Sequence, residues 1–327
     1  MNLHRRTAVA AIAGTAALGG RAWGQAAGRV PRLGWLGTID SRQEPYSRAF
    51  VQRLKELGYE DGRQLTIDFR HAGGVLDALP RVAAQLAEAR PDVYFVGGVE
   101  DSLVAVKAVG GNAPIVITAT DFDPVSAGHV SSLARPGGRV TGVTMMQSVL
   151  PAKRLELLRE MLPQARRIGV FSTAATMGQL EVTREAARRL GLTLQVFEFR
   201  REPFDFAAAF AEAARLRCDA LMILGSALFV PSRRKIGELA ASSRIPTMLH
   251  QSQWVEVGGL MSYGFSFIDA YQRAAEQVVA ILKGAKAGDI PMEQGAKFEL
   301  VVNLRTARAM GLAIPQSIML RADRVIE

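Results

Sequence analysis

Residues 92–119 read DVYFVGGVEDSLVAVKAVGGNAPIVITA. Two short apolar runs, DVYFVGG (92–98) and PIVITA (114–119), flank a helical stretch from about Asp101 to Val109. A continuous apolar run rich in β-branched and aromatic residues is a strand covered on both faces. Two such strands joined through a helix form a parallel pair, because a parallel connection needs a crossover of a dozen or more residues. What decides the fold is whether this unit repeats.

It repeats in both directions. Upstream, RLGWLG (32–37) and LTIDFR (65–70) are strands on either side of a helix from about Pro45 to Leu57, closed by Gly58, and LPRVAAQLAEA (79–89) is helical. Downstream, DPVSAGHVSSLARPGG (123–138) is expected to be a helix with a proline–glycine stop, leading into the strand VTGVTMM (140–146). The alternation then restarts. RRIGVFS (166–172), LTLQVFEF (192–199), DALMILG (219–225), PTMLH (246–250) and GGLMSYG (258–264) are strands, with helices near 178–190, 205–216 and 232–242. The join lies near 145–153, where Pro151 opens the next helix. The expected fold is α/β, with two Rossmann-like lobes of parallel sheets and a ligand at the carboxyl ends of their strands.

The last sixty residues do not make a third domain. After Gly264 comes one helix, and FELVVNLRTARAMGLAIPQSIMLRADRVIE (298–327) supplies one strand, one short helix and a final segment. Each piece finds a sheet to pack on if the chain crosses at Gly264 into the first lobe and returns around 297–301. The expected lobes are therefore 30–144 plus 265–296 and 145–264 plus 297–327, with three crossings at Thr144, Gly264 and Lys297.

Composition narrows the function. Of 327 residues, 49% are hydrophobic and 22% charged, the balance of a soluble globular chain. The net charge is +9, but the Arg-Arg pairs at 5–6, 166–167, 188–189, 200–201 and 233–234 are dispersed, whereas a nucleic-acid partner calls for one basic stripe. Residues 1–26 have the order of an export signal: Arg5-Arg6, an uncharged stretch from Thr7 to Gly20, then small residues. The stretch is shorter than the roughly 20 residues of a membrane span. The paired arginines suit a twin-arginine signal, although an ordinary secretory signal tolerates them too. Cleavage after Ala26 would remove three arginines and lower the charge to +6. The one cysteine, Cys218, reads as a buried strand residue without a disulfide partner. A periplasmic, soluble chain is expected.

Three stretches in this order carry a family likeness: FDPVSAGHVSSLARPGGRVTGVT (122–144), GGLMSYGFSFIDAYQRAAEQVVAILKGAKAGDIPMEQGAKFELVVN (258–303) and LRTARAMGLAIPQSIMLRADRVIE (304–327). They resemble the substrate-binding proteins of ABC importers, in the group that includes tryptophan- and tyrosine-type binders, from about Pro31 to Glu327. The resemblance implies a type I periplasmic-binding-protein fold, a three-segment hinge, and a ligand trapped by closure of the lobes. It further implies delivery to permease subunits of an ABC importer by a monomer whose only membrane contact is peripheral. An aromatic or branched-chain amino acid, or a related carboxylate, is the expected ligand. The sequence departs from the family twice. Ser172-Thr173-Ala174-Ala175 stands where an Asn-Pro pair is common, and Gln251-Ser252-Gln253-Trp254 where an Arg-Glu pair is frequent.

The strand ends supply the site residues. Gly37, Thr38, Gly97, Gly98, Thr120, Asp121 and Asp123 are expected from the first lobe, and Thr173, Ser226 and Tyr263 from the second, with Thr118, Ser172, Gly225 and His250 nearby. Glycines admit a ligand close to the backbone, and hydroxyls at helix starts can hold a carboxylate. Asp123-Pro124 also fits a helix start, and Thr173 and Ser226 fit helix caps. Asp121 has no such assignment and is the expected partner of a ligand amine. Trp35, Phe122, Phe171, Phe229 and Trp254 serve either a ring-bearing ligand or the core. The four histidines lack metal-ligand spacing, and neither G-x-G-x-x-G nor G-x-S-x-G occurs at the glycine-rich turns, so no catalytic residue, metal or cofactor is expected. A sensory receptor without transport and an exported α/β enzyme are the alternatives.

Overall fold

The computed structural model describes residues 29–201, 203–295 and 297–327. The expected export signal lies outside the described residues. In the first half, β1 (Arg32–Gly37), β2 (Thr66–His71), β3 (Val93–Gly98), β4 (Ile115–Thr120) and β5 (Val140–Met145) are linked through α1 (Pro45–Glu56), α2 (Leu79–Glu88) and α3 (Glu100–Val109). The second half holds β6 (Arg167–Thr173), β7 (Thr193–Phe199), β8 (Ala220–Ile223), β9 (Thr247–Leu249) and β10 (Met261–Phe265), with α4 (Pro151–Met161), α5 (Met177–Leu190), α6 (Phe206–Arg215), α7 (Arg233–Ser243) and α8 (Ser252–Val255). There follow α9 (Phe267–Leu282), β11 (Glu293–Gln294), β12 (Phe298–Asn303) and β13 (Arg324–Ile326).

The strands form two sheets. The first runs β11-β5-β4-β3-β1-β2 and is parallel throughout. The second runs β13-β12-β10-β9-β8-β6-β7, and its one antiparallel pair is β10 with β12. Both central sheets are apolar on both faces, which explains why their strands read as unbroken hydrophobic runs rather than as alternations. On one face of the first sheet Leu79, Val82, Leu86, Leu103 and Val106 of α2 and α3 meet Val96 and Ile117. On the other, Phe50 and Leu54 of α1 and Tyr271, Ala274 and Val278 of α9 meet Trp35, Phe95 and Val116. Helix α9 starts where Ser266 Oγ accepts from Asp269 N, and it covers the first sheet although the strand before it belongs to the second.

The chain thus passes between the sheets three times, after β5, after β10 and between β11 and β12. These crossings lie side by side. Gly295 N donates to Thr144 O, and Ser266 N donates to Lys297 O, each at 2.9 Å. Val143, Met145, Leu150, Phe265 and Ala270 form a small apolar core around them.

One element differs from expectation. Residues 123–138 are successive turns, not a helix. Asp123 Oδ1 accepts from Val125 N at 2.9 Å, so it closes a local turn. Ser132 Oγ accepts from Arg135 N, and Gly128 and Gly137 have φ of +71° and +78°. These side-chain-to-backbone bonds and left-handed glycines replace the helical ladder.

Candidate ligand-binding site

The carboxyl ends of β1, β3 and β4 face those of β8 and β9 across a cavity of about 140 Å³. A single buried water needs about 10–15 Å³, so the space suits an organic molecule rather than one ion. Ile39, Tyr46, Leu76, Phe267 and Tyr271 make an apolar, partly aromatic wall on the first lobe. The ring centroids of Tyr46 and Tyr271 are 4.7 Å apart, and those of Tyr46 and Phe267 are 5.7 Å apart. Burial pushes the Tyr271 phenol up to about 12, so it stays a neutral hydroxyl. Ala227, Leu228 and Val230 line the second lobe's side.

Two glycines let this wall close. A Cβ on Gly97 would lie 2.6 Å from the Tyr271 hydroxyl oxygen. Gly98 has φ +124°, and a Cβ there would lie 2.6 Å from Thr38 Oγ1. Thr38 is held from behind by Ser102, Oγ1 to Oγ 3.1 Å.

The polar end centres on Asp121. It follows β4 in a left-handed conformation, φ +65°, which aspartate tolerates better than most residues but which is rare off glycine. Its Oδ1 accepts from Ser148 N at 2.8 Å and its Oδ2 from Gln179 Nε2 at 2.5 Å. Gln179 also pairs with both backbone groups of Gly225, donating to its carbonyl at 2.9 Å and accepting from its N–H at 3.0 Å. Asp121 is thereby joined to the second lobe. Burial raises its carboxyl above the ordinary value, against the pull of these hydrogen bonds and of Arg154. A carboxylate offers about four acceptor positions, so two donors leave room for a ligand cation. Among the described residues, Asp121 is the only acidic side chain lining the cavity, and no lysine or arginine does.

His250, just past β9, also lines the cavity, 3% exposed and tilted against Trp254 at 5.0 Å. Burial, with the nearby Arg154 charge, pushes its imidazole down to about 3, so it is neutral at pH 7. At the rim, Glu44 ahead of α1 and Arg233 at the start of α7 form an ion pair of 2.5 Å between lobes.

Of the residues expected from the strand ends, Thr38, Gly97, Gly98, Thr120, Asp121 and Ser226 line the cavity, with Gly225 and His250. Thr173 does not; it stands behind Ser226, Oγ1 to Oγ 3.3 Å, and bonds Thr176 in a capping box. Gly37 lies outside the lining, packed against Phe69. Asp123 is in its surface turn, and Tyr263 is in β10 with its ring stacked on Phe298, centroids 5.9 Å apart. Trp35, Phe171, Phe229 and Trp254 are core residues. Unexpected in the lining are Ser41, Tyr46, Gln147, Gln251, Phe267 and Tyr271. Tyr271 was detectable in principle, as the aromatic on the buried face of the helix that returns to the first lobe.

Comparison with known proteins bears on family and fold. A family model described as ABC transporter substrate binding protein matches residues 40–326. A tyrosine-binding protein of Clostridioides difficile (strain R20291) is 26% identical over 266 residues, covering 81% of this chain and 76% of that protein. The crystal structure of the ABC domain in complex with L-Trp from Streptococcus pneumonia aligns with a TM-score of 0.78 at 24% identity, over 91% of this chain and all of that one. The ligand-free, open structure of a substrate-binding protein with adhesive properties from Clostridium difficile aligns with 0.65 at 25% identity, over 91% and 99%. At equal coverage the fold here superposes better on the complex than on the open form.

Proposed function

The chain belongs to the ABC transporter substrate-binding protein family, and from that premise we propose that it captures an α-amino acid with an aromatic side chain between its lobes. The observation that carries this reading is the pairing of one buried carboxylate, Asp121, with a wall formed by Tyr46, Phe267 and Tyr271. Asp121 takes the ligand's ammonium group, and the aromatic wall takes its ring. Thr38, Gly97, Gly98, Thr120 and Ser226 shape the remaining surface; Thr173 supports Ser226 from behind. The tyrosine-binding relative and the L-Trp complex support the ligand class.

The mechanism in this reading is closure about the three crossings at Thr144, Gly264 and Lys297, with lobes 30–144 plus 265–296 and 145–264 plus 297–327. A ligand that touches both lobes favours the closed state by its differential affinity alone. The closed monomer then hands its cargo to permease subunits on the outer side of the cytoplasmic membrane, in the periplasm after export. Among the described residues no helix is long and apolar enough to cross a membrane, and no group of three or more His, Cys, Asp or Glu is placed to hold a metal.

The test is thermal unfolding of the chain from Ala27, with amino acids, aromatic acids, nucleosides and sugars. A ligand at about 100 times its dissociation constant adds roughly 2.7 kcal/mol. Stabilisation by L-tyrosine or L-tryptophan, with the compound recovered intact, is the expected result. Stabilisation only by sugars or nucleosides overturns the ligand class, and conversion of a bound compound overturns the receptor role.

A further inference from the structure

Gln147 and Arg154 form a second polar device beside the cavity. Gln147 lies on the first crossing, is 1% exposed and lines the cavity. Its Oε1 accepts from Arg154 Nη2 at 2.5 Å, and its Nε2 has no partner. Arg154, on α4, is wholly buried; its Nε donates to the Tyr263 carbonyl at 2.7 Å, and its Nη1 is also unpartnered. Among the described residues no carboxylate bonds this guanidinium. The nearby Asp121 carboxylate attracts this guanidinium through space without bonding it, and a ligand carboxylate adds to that compensation of a buried charge. A charged donor bound to the amide oxygen also makes the amide N–H groups better donors.

The neighbourhood bears on what those donors meet. Ser148, next in the chain, donates its N–H to Asp121, so the amide of Gln147 and the carboxylate of Asp121 are near neighbours. The ammonium and carboxylate of an α-amino acid share one carbon and need recognition groups that are close together.

We infer that Gln147 is the specificity-determining residue for the ligand's carboxylate, with Arg154 as the positioning residue behind it. The inference rests on the amino-acid reading above and deepens it: the site takes a zwitterion and discriminates against the matching amine. The carboxylate is bound by a neutral amide, and the arginine acts one residue removed from the ligand.

Calorimetric titration with L-tryptophan, L-tyrosine, tryptamine and tyramine tests this. The unaltered protein binds each amino acid at least about tenfold more tightly than its amine, the size of effect expected for a charge-assisted hydrogen bond. Gln147→Glu places an acid against Arg154 and against the ligand carboxylate. Amino-acid affinity then falls by about a hundredfold or more while amine affinity holds, so the preference inverts. Cooperative melting of the ligand-free variant shows that the fold is kept, so that the inverted preference reports on the ligand's carboxylate. Gln147→Met, which removes the donor without adding charge, brings the preference to within about threefold. Arg154→Lys keeps most of the preference and Arg154→Met loses it, a contrast that a purely structural arginine would not give. An unchanged amino-acid-to-amine ratio in both Gln147 variants, with binding intact, overturns this inference and leaves the amino-acid reading standing. No binding of any of the four compounds by the unaltered protein overturns both.

Discussion

Asp121 serves two ends that oppose each other. Its carboxylate is useful to a ligand ammonium only when ionised, and burial works against ionisation. Ligand affinity is therefore complete above its raised pKa and declines as the pH falls through it, beginning at a higher pH than an exposed aspartate, near 3.9, would give. For the empty protein the sign is reversed. A carboxyl whose folded pKa is raised lends stability while protonated and loses it as the pH rises through that value. Asp121→Asn should thus weaken amino-acid binding by about tenfold or more, while the ligand-free melting temperature at pH 7 holds or rises; parallel titration and melting curves check both. His250 behaves differently. Its folded pKa is depressed to about 3 from 6.5, so the stability of the neutral ring is present above 6.5 and lost as the pH falls towards 3. At about 1.4 kcal/mol per unit, His250→Phe should flatten the acid side of the stability curve, read from urea midpoints between pH 7 and 4. Asp121 could be singled out in the sequence because it ends a strand and caps nothing. Gln147 could not, because Met146-Gln147-Ser148 reads as a connector until the crossing brings it beside Asp121 and Arg154. Tyr263 misled for a related reason: its main-chain carbonyl meets Arg154, while its ring stacks on Phe298 away from the cavity.

Among the secondary-structure elements, β10 is tightly constrained. Gly264 sits in it opposite Glu299, and a Cβ there would come within 2.1 Å of the His250 carbonyl oxygen. The glycine answers a close approach between β9's exit and β10. Gly264→Ala should cost at least 1–3 kcal/mol, an overpacking penalty, seen as a melting temperature lower by several °C. The interlobe ion pair makes another distinction. Glu44 and Arg233 are 15% and 22% exposed when paired, and in the proposed closure mechanism opening of the lobes would return both to water. Arg233→Ala should lower ligand affinity by about fivefold, reduce its salt dependence, and barely alter ligand-free melting, since such pairs contribute on the order of 1 kcal/mol. Titrations at low and high salt decide it. The central strands were legible because sheets covered on both faces force unbroken apolar runs. The 123–138 segment was not, since apolar residues among serines, prolines and glycines fit a short helix as well as a series of turns, and only the left-handed glycines and local side-chain bonds settle which forms.

For the molecule as a whole, the discontinuity of the lobes matters more than any single contact. Helix α9 covers Trp35, Phe50, Phe95 and Val116 of the first lobe, yet it lies more than a hundred residues beyond β5. A fragment of residues 30–145 should therefore fail to melt cooperatively and should bind a hydrophobic dye, whereas adding residues 265–296 through a linker should restore a sharp transition. A cooperative, dye-free fragment would show that α1 alone suffices to close that face. The same arrangement bears on synthesis. At about 5–20 residues per second, α9 leaves the ribosome on the order of ten seconds after β5. Through that interval the nascent first lobe lacks the helix that covers one face of its sheet, so a chain that folds before export needs that greasy face shielded until α9 has emerged.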